Sequence, residues 1–365
     1  MATTPDSGEP GPRRRRAPGS ADVARLAGVS QKTVSRVMND EPYVKEEVRQ
    51  RVLQAARELG YRRNNAARTL MSGRNHRIGV VTLGSALYGP ASTVAGIERA
   101  ARGTGYGVSV VHLVEGDERG VAGAVDTLLE QGVDGIVIAE PIDEGPVEVE
   151  VEVPVVVIGS IAGLTGPRVI NAGGLRDRPA RIATRHLLSL GHRTVHHVAG
   201  PQRWFSARER LDGWRRALRD AGAAEPEYIE GDWSVASGYA AGKVLAAAPD
   251  VTAVLAANDD MAIGVIRAFT EAGRPVPEEV SVVGFDDIPI AGYLNPPLTT
   301  VNVPFDVLAE ATLAALVKAV EVPAEETPPF VEPECRLVVR SSTAPPLGSR
   351  TVSSGETHQI RQPIR

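Results

Sequence analysis

From residue 77 onward the chain alternates between two hydrophobic periods. Short continuous apolar runs (HRIGVVTL, GVSVVHLV, VDGIVIAE, VPVVVIG, TVHHVAG, AVLAAND, VSVVGFDD) are separated by segments whose apolar residues recur every three or four positions (STVAGIERAARGTG, GAVDTLLEQG, ARIATRHLLSLG, RERLDGWRRALRDAG, MAIGVIRAFTEAG). The first kind reads as strands buried on both faces and the second as amphipathic helices. Their alternation predicts an α/β body of two doubly wound parallel-sheet lobes over 77–343. A ligand cleft is expected outside the carboxyl ends of the strands.

The stretch before the body has the helical period only. In ADVARLAGVSQKTVSRVMND, Ala21 to Leu26 form one short helical pattern, Gly28 breaks it, and Ser30 is placed to cap the next helix, whose stripe is Val34 and Val37. Small Ala24, Gly28 four later and Val34 six later suit two helices crossing at a tight turn. Gly28 takes the backbone angle that the turn needs. A third helix follows, with Val44, Val48, Val52, Ala55 and Leu59 at helical spacing and Gly60 at its end. The packing positions leave Gln31, Lys32, Ser35, Arg36 and Asn39 facing out. Gln and Asn read adenine edges and Arg or Lys reads guanine. The pattern is that of a helix-turn-helix domain, expected over 19–62.

Charge sharpens this reading. The net charge of −5 conceals 16 Lys and Arg against 6 Asp and Glu in residues 13–77, and 24 against 37 in residues 78–365. A basic head on an acidic body suggests a polyanionic partner for the head alone. Residues 1–18 are rich in Pro, Gly and Arg and are expected to be a disordered basic tail; residues 344–365 are expected to be disordered as well. No run is apolar and long enough to span a bilayer, and no apolar segment follows the N-terminal arginines, so the expected location is cytoplasmic and nucleoid-associated. The single cysteine, Cys335, excludes an intramolecular disulfide framework and a multi-cysteine zinc site.

DVARLAGVSQKTVSRVMN resembles the DNA-binding head of the lactose repressor family of bacterial transcription regulators, and EGDWSVASGY, LAANDDMAIG, SVVGFDD and PPLTT resemble its body. The resemblance covers almost all of 20–343. It implies that the second helix lies in the major groove of a double-stranded, palindromic DNA operator. Gln31, Lys32 and Arg36 match base-reading positions. Ser30, Thr33, Ser35 and Asn39 match capping and phosphate-contact positions. Residues 63–76 match the family's hinge, with Asn64, Ala67, Arg68 and Leu70 as DNA contacts and Leu70 as the residue wedged into the minor groove. The body implied is the two-lobed architecture of periplasmic sugar-binding proteins, with a sugar or glycoside effector between the lobes. The tail has no leucine heptad, so a homodimer is expected.

The strand ends carry a matching set of side chains. Asp143, Asn258 and Asp286 follow strand patterns, Arg181 opens a helix, and Trp233 lies in the polar stretch EGDWSVASGY. Charged and amide groups meet sugar hydroxyls in pairs, and an exposed indole stacks on the apolar sugar face. By resemblance, Asp143, Arg181, Trp233, Asn258, Asp286 and Phe305 match the family's effector contacts, although Asn258 also reads as a helix N-cap. No phosphate loop, nucleophile elbow or cofactor motif occurs, and His196 and His197 are neighbours on a strand, facing opposite ways. An enzyme is therefore not expected, nor any cofactor. The expected function is a DNA-binding repressor released by its effector; a ligand that strengthens DNA binding, or a sugar-binding module without a regulatory role, are the alternatives.

Overall fold

A computed structural model of the chain describes residues 18–38, 41–61, 73–83, 87–113, 119–139, 151–159, 161, 163–164, 166–172, 177–322 and 330–347. The chain divides into two compact units, Met1–Asn75 and His76–Arg365.

The first unit holds three helices, α1 (Ser20–Ala27), α2 (Gln31–Met38) and α3 (Glu46–Leu59). The first two have eight residues each, too few to persist alone in water. A shared core supplies their stability: Val23, Ala24, Ala27, Val34, Val37, Val52, Ala55 and Ala56 are all buried together. Gly28 ends α1 in the left-handed region at φ 65°, and the Ser30 hydroxyl accepts the backbone N–H of Thr33 at 3.1 Å, capping α2. Gly60 ends α3 in the same left-handed way, at φ 62°.

The second unit has two sheets. In chain order its elements are β1 (Arg77–Leu83), α4 (Tyr88–Ala101), β2 (Gly107–Leu113), α5 (Gly120–Glu130), β3 (Gly135–Ala139), β4 (Val155–Ile158), β5 (Val169–Asn171), α6 (Arg178–Ser189), β6 (His196–Ala199), α7 (Phe205–Asp220), β7 (Ile229–Glu230), α8 (Val235–Ala246), β8 (Ala253–Ala256), α9 (Asp259–Glu271), β9 (Ser281–Asp286), β10 (Thr299–Asn302), α10 (Phe305–Glu321) and β11 (Arg336–Val338). The first sheet has the order β2-β1-β3-β4-β5, all parallel. The second runs β11-β10-β9-β8-β6-β7, parallel except for β11.

Most strands expected from their apolar runs are buried along nearly their whole length, β3, β4 and β8 at every residue, but β2 at the edge of its sheet buries only Leu113. The chain returns to the first lobe after β10. Helix α10 buries Leu308, Ala309, Leu313 and Leu316 against Ile78, Val80, Val137 and Val156 of the first sheet. Gly96 of α4 and Gly135 of β3 make this seat possible, because a Cβ at either would come within 2.9 Å of Ala309 or Leu316. The step from β10 to α10 is thus a lobe crossing, and β11 recrosses to the second sheet. His197 is a core residue, its ring stacked on Trp214 at 5.4 Å and its pKa lowered by burial to about 4. Cys335 is buried and its thiol is pushed up to about 12 by desolvation.

Candidate functional site

Among the described residues, polar side chains gather on the exposed face of α2 and at a cleft in the body. On the head, Gln31, Lys32, Ser35 and Arg36 occupy the exposed face of α2, opposite buried Val34 and Val37. Arg36 is half exposed and pairs loosely with Glu41 at 3.5 Å. Ser30 serves as the cap, and its hydroxyl lies 2.9 Å from that of Thr33. The expected contacts Asn39, Asn64, Ala67, Arg68 and Leu70 lie outside the described residues, as does Asp143 of the body.

In the body, a cleft opens at the carboxyl ends of the strands. The first lobe contributes Leu87, Tyr88, Gly89 and Pro90 from the start of α4. The second contributes Trp204, Ser206, Arg210, Trp233, Asn258 and Asp286. Asp286 is the last residue of β9, and both it and Asp287 have left-handed backbone, at φ 106° and 57°. Such angles are costly for residues with a Cβ and concentrate at functional sites. They turn the two carboxylates apart. Asp286 meets Arg210 Nη2 at 3.2 Å, while Asp287 meets Arg340 Nη2 at 2.6 Å and Asn302 Nδ2 at 3.1 Å.

Behind them lies Asp259, fully buried at the start of α9. Its oxygens accept the Thr300 hydroxyl at 2.6 Å and the Ile288 N–H at 2.8 Å. Desolvation, with Asp286 close by, raises its pKa to about 8. Gly284 of β9 is required here, since a Cβ would fall 2.1 Å from the Asp259 carboxylate.

Asn258 holds two duties. Its Oδ1 caps α9 by accepting the Met261 N–H at 2.9 Å, and its Nδ2 donates to the Trp233 carbonyl at 3.0 Å. Trp233 itself has φ 73°. EGDWSVASGY is not wholly a loop: Ser234 caps α8 by accepting the Ser237 N–H at 3.1 Å, and Asp232 accepts both the N–H and the hydroxyl of Ser234. Those bonds lower the Asp232 pKa. The Trp233 indole was expected to be open to the cleft. It is 5% exposed, edged by Trp204 at 5.5 Å.

Two expected contacts fall elsewhere. Arg181 does not reach the cleft. It sits on the flank of α6, off the buried stripe Ala180, Ala183, Thr184 and Leu187, and pairs with Asp220 at 2.9 Å and Asp177 at 3.7 Å. Asp220 ends α7, ten residues and about 15 Å along the helix from Arg210. Phe305 stands behind the cleft wall: it packs edge-on against Tyr88 at 5.8 Å and lines a neighbouring groove between α4 and the start of α10.

Arg210 is the cationic group of the site. Nη1 donates to the Ala257 carbonyl and Nη2 to Asp286; its guanidinium lies 3.9 Å from the Phe285 ring centroid and 5.3 Å from that of Trp233. A signal for it was present. Ala207, Leu211, Trp214, Ala217 and Leu218 form the buried stripe of α7, and Arg210 falls on that stripe, one turn before Trp214. A charged residue on an apolar face needs a partner.

These features have counterparts among known proteins. Residues 21–64 match the family described as bacterial regulatory proteins, lacI family, and residues 184–343 match the periplasmic binding protein-like domain. The ribose operon repressor of Escherichia coli K12 is 34% identical over 309 residues, 83% of this chain and 93% of that protein. The lactose operon repressor of the same strain is 35% identical, with 81% and 83% covered. CelR of Thermobifida fusca is 36% identical over 90% of this chain and 99% of its own.

The chain belongs to the lacI family of bacterial regulatory proteins. As a family member it is a DNA-binding transcription regulator and not an enzyme. Solved structures are similar to it as well. The lac repressor dimer bound to operator and the anti-inducer ONPF superposes with a TM-score of 0.74 at 31% identity, covering 90% of this chain and all of that one. The CelR–cellobiose complex does so at 0.64 and 33% identity, over 89% and 99%. Among the described residues of this lacI-family chain, no helix is long and apolar enough to cross a membrane.

Proposed function

We propose that this chain is a repressor that binds a palindromic DNA operator as a homodimer and is released by a sugar or glycoside held between the lobes of its body. It would work in the cytoplasm, at the nucleoid. The observation that carries the reading is a preorganised polar set, Arg210, Asn258 and Asp286, facing an apolar and aromatic wall across one cleft. Carbohydrates present this same division, with hydroxyl edges and C–H faces. The named relatives act on ribose and lactose operons, and CelR is solved with cellobiose, which supports a sugar in this cleft.

On the head, Gln31, Lys32 and Arg36 are the proposed base readers and Thr33 and Ser35 the proposed phosphate contacts. Asn39 and the hinge residues Asn64, Ala67, Arg68 and Leu70 complete the proposed DNA contacts, and Asp143 adds to the proposed effector contacts, with Phe305 backing Tyr88 from the neighbouring groove. The proposed domain limits are a basic tail over 1–18, the head over 19–62, the hinge over 63–76, and a body that the sequence ends at 343 but that includes Ala344, whose N–H and carbonyl both bond Ser281. The effector needs to favour the DNA-incompetent state by only about 2–3 kcal/mol to lower operator affinity some hundredfold. Selection of bound duplexes from a random pool tests the DNA half of the reading. A two-fold symmetric consensus is expected, with half-sites about one helical turn apart; enrichment of a single asymmetric half-site, or of none, contradicts it.

A further inference from the structure

Asp286 reaches the cleft on a turn that is costly to hold, since it and Asp287 both lie in the left-handed region, at φ 106° and 57°. The turn is tied down at the next residue: the Ile288 N–H donates to Asp259 Oδ2 at 2.8 Å. The other oxygen of Asp259 meets the Thr300 hydroxyl of β10 at 2.6 Å, so one side chain at the start of α9 fastens the turn to a neighbouring strand. Asp259 is fully buried, and among the described residues it forms no ion pair. The charged groups around it are Asp286 and Asp287 from the end of β9 and Asp260 beside it on α9. The arginines that reach this turn, Arg210 from α7 and Arg340 after β11, are engaged by Asp286 and Asp287. Strands β8 and β10 carry no charged residue. A carboxylate in such a place is uncompensated, and burial keeps its proton on up to about pH 8. The Thr300 hydroxyl accepts as well as donates, so the neutral acid keeps both bonds.

We propose that Asp259 is a positioning residue for the effector site: as the neutral acid it holds the 286–288 turn with Asp286 aimed into the cleft, and as the carboxylate it drives that turn out of place. This rests on the effector reading above and makes effector binding a proton-linked event. Two like charges in a buried place push apart, and the strained turn is the part that gives. The protonated chain is the form that binds, so affinity is full below pH 8 and is lost as pH rises through it. Linkage is reciprocal: a bound effector tightens the hold of Asp259 on its proton, and binding near pH 8 takes a proton up from solution.

The test is calorimetry on the full chain between pH 6 and pH 9, with ribose, galactose, lactose, cellobiose and maltose as probes. The sugar that binds should bind the unsubstituted chain about three- to tenfold more weakly at pH 9 than at pH 7. Near pH 8 its binding heat should differ between phosphate and Tris buffers, the mark of proton uptake. Asp259→Asn keeps an oxygen for the Ile288 N–H and an amide for the Thr300 hydroxyl but carries no charge. It should bind equally at pH 7 and pH 9, with the same heat in both buffers. Asp259→Ala leaves the turn untied and should bind at least about tenfold more weakly than Asp259→Asn at pH 7. Affinity in the unsubstituted chain that is the same at pH 7 and pH 9 overturns the proposal, and so does an equal fall in Asp259→Asn. The pH series is read on the unsubstituted chain, so a variant that fails to fold leaves the test standing. If none of the sugars binds at any pH, the effector reading itself fails, and this proposal with it.

Discussion

Arg210 and Asp286 form an ion pair at 3.2 Å across the floor of the cleft, with side chains only 13% and 9% exposed. The pair joins α7 to the end of β9 and fixes both groups in place. A site built this way need not collect its charges on binding, and less of the binding free energy is lost to ordering.

Arg210 and Arg181 make opposite predictions. Arg210→Lys keeps the charge but loses the planar fork that serves Ala257, Asp286 and a ligand together. Its effector affinity should fall at least about tenfold. Arg181→Gln should leave effector affinity unchanged, because its partners are Asp177 at the start of α6 and Asp220 at the end of α7, neither of which lines the cleft. Calorimetry on both variants decides this; equal losses would contradict the placement.

Gly200→Ala should act through Trp233. The added methyl would come within 2.3–2.6 Å of three atoms of the benzo ring, so the indole must move. Overpacking of this kind costs about 1–3 kcal/mol. A lower urea midpoint is expected together with weakened effector binding. Unchanged binding would show that the position of Trp233 does not matter to the ligand.

Asp259 makes stability depend on pH. Its folded pKa, about 8, is raised above the ordinary carboxylate value, so the folded chain holds a proton that the unfolded chain releases. The stabilisation is full below about pH 4 and is lost as pH rises toward 8. The slope inside that window reaches at most about 1.4 kcal/mol per pH unit for this one group. Asp259→Asn should flatten the loss between pH 5 and pH 8 in urea unfolding, and an undiminished slope would assign it to other groups.

In the head, Gly28 ends α1 at φ 65° and Ser30 opens α2. Gly28→Val forces a β-branched residue into the left-handed region, and Ser30→Ala removes the cap. The cap alone should cost about 1 kcal/mol of head stability, and the valine at least as much. Both variants should weaken operator binding while effector affinity stays unchanged, as measured by anisotropy and calorimetry. Loss of effector binding in either would contradict the independence of the two sites.

The sequence made the head almost wholly legible, because its logic is local: Ala24, Gly28, Ser30 and Val34 sit at fixed offsets in one turn. The buried strands were legible for the same reason, each being a short apolar run between helices. The strands β5, β7, β10 and β11 were not visible, since none of them carries a continuous apolar run. Helix α8 was hidden by Gly238 and Gly242, which lie tight against Met261 and Val265 of α9 and leave the helix with little amphipathic contrast. Asn258 and Asp286 were legible because strand ends mark the cleft, and Trp233 through the resemblance of the polar stretch EGDWSVASGY. Arg210 and Trp204 were missed because their placement depends on how α7 packs against β8 and β9, contacts far apart in sequence. The resemblance points to Arg181 as the cationic contact, but position on the helix stripe decides which arginine faces the cleft, and that arginine is Arg210.

The most direct test of the central claim is a titration of sugars into the complex of this chain with its selected operator, following DNA anisotropy and tryptophan fluorescence together. The account predicts that at least one sugar changes the tryptophan signal and lowers operator affinity about a hundredfold, and that Arg210→Lys shifts both responses to higher sugar concentration. A sugar that binds and leaves operator affinity unchanged, or raises it, would contradict release by an effector in this cleft.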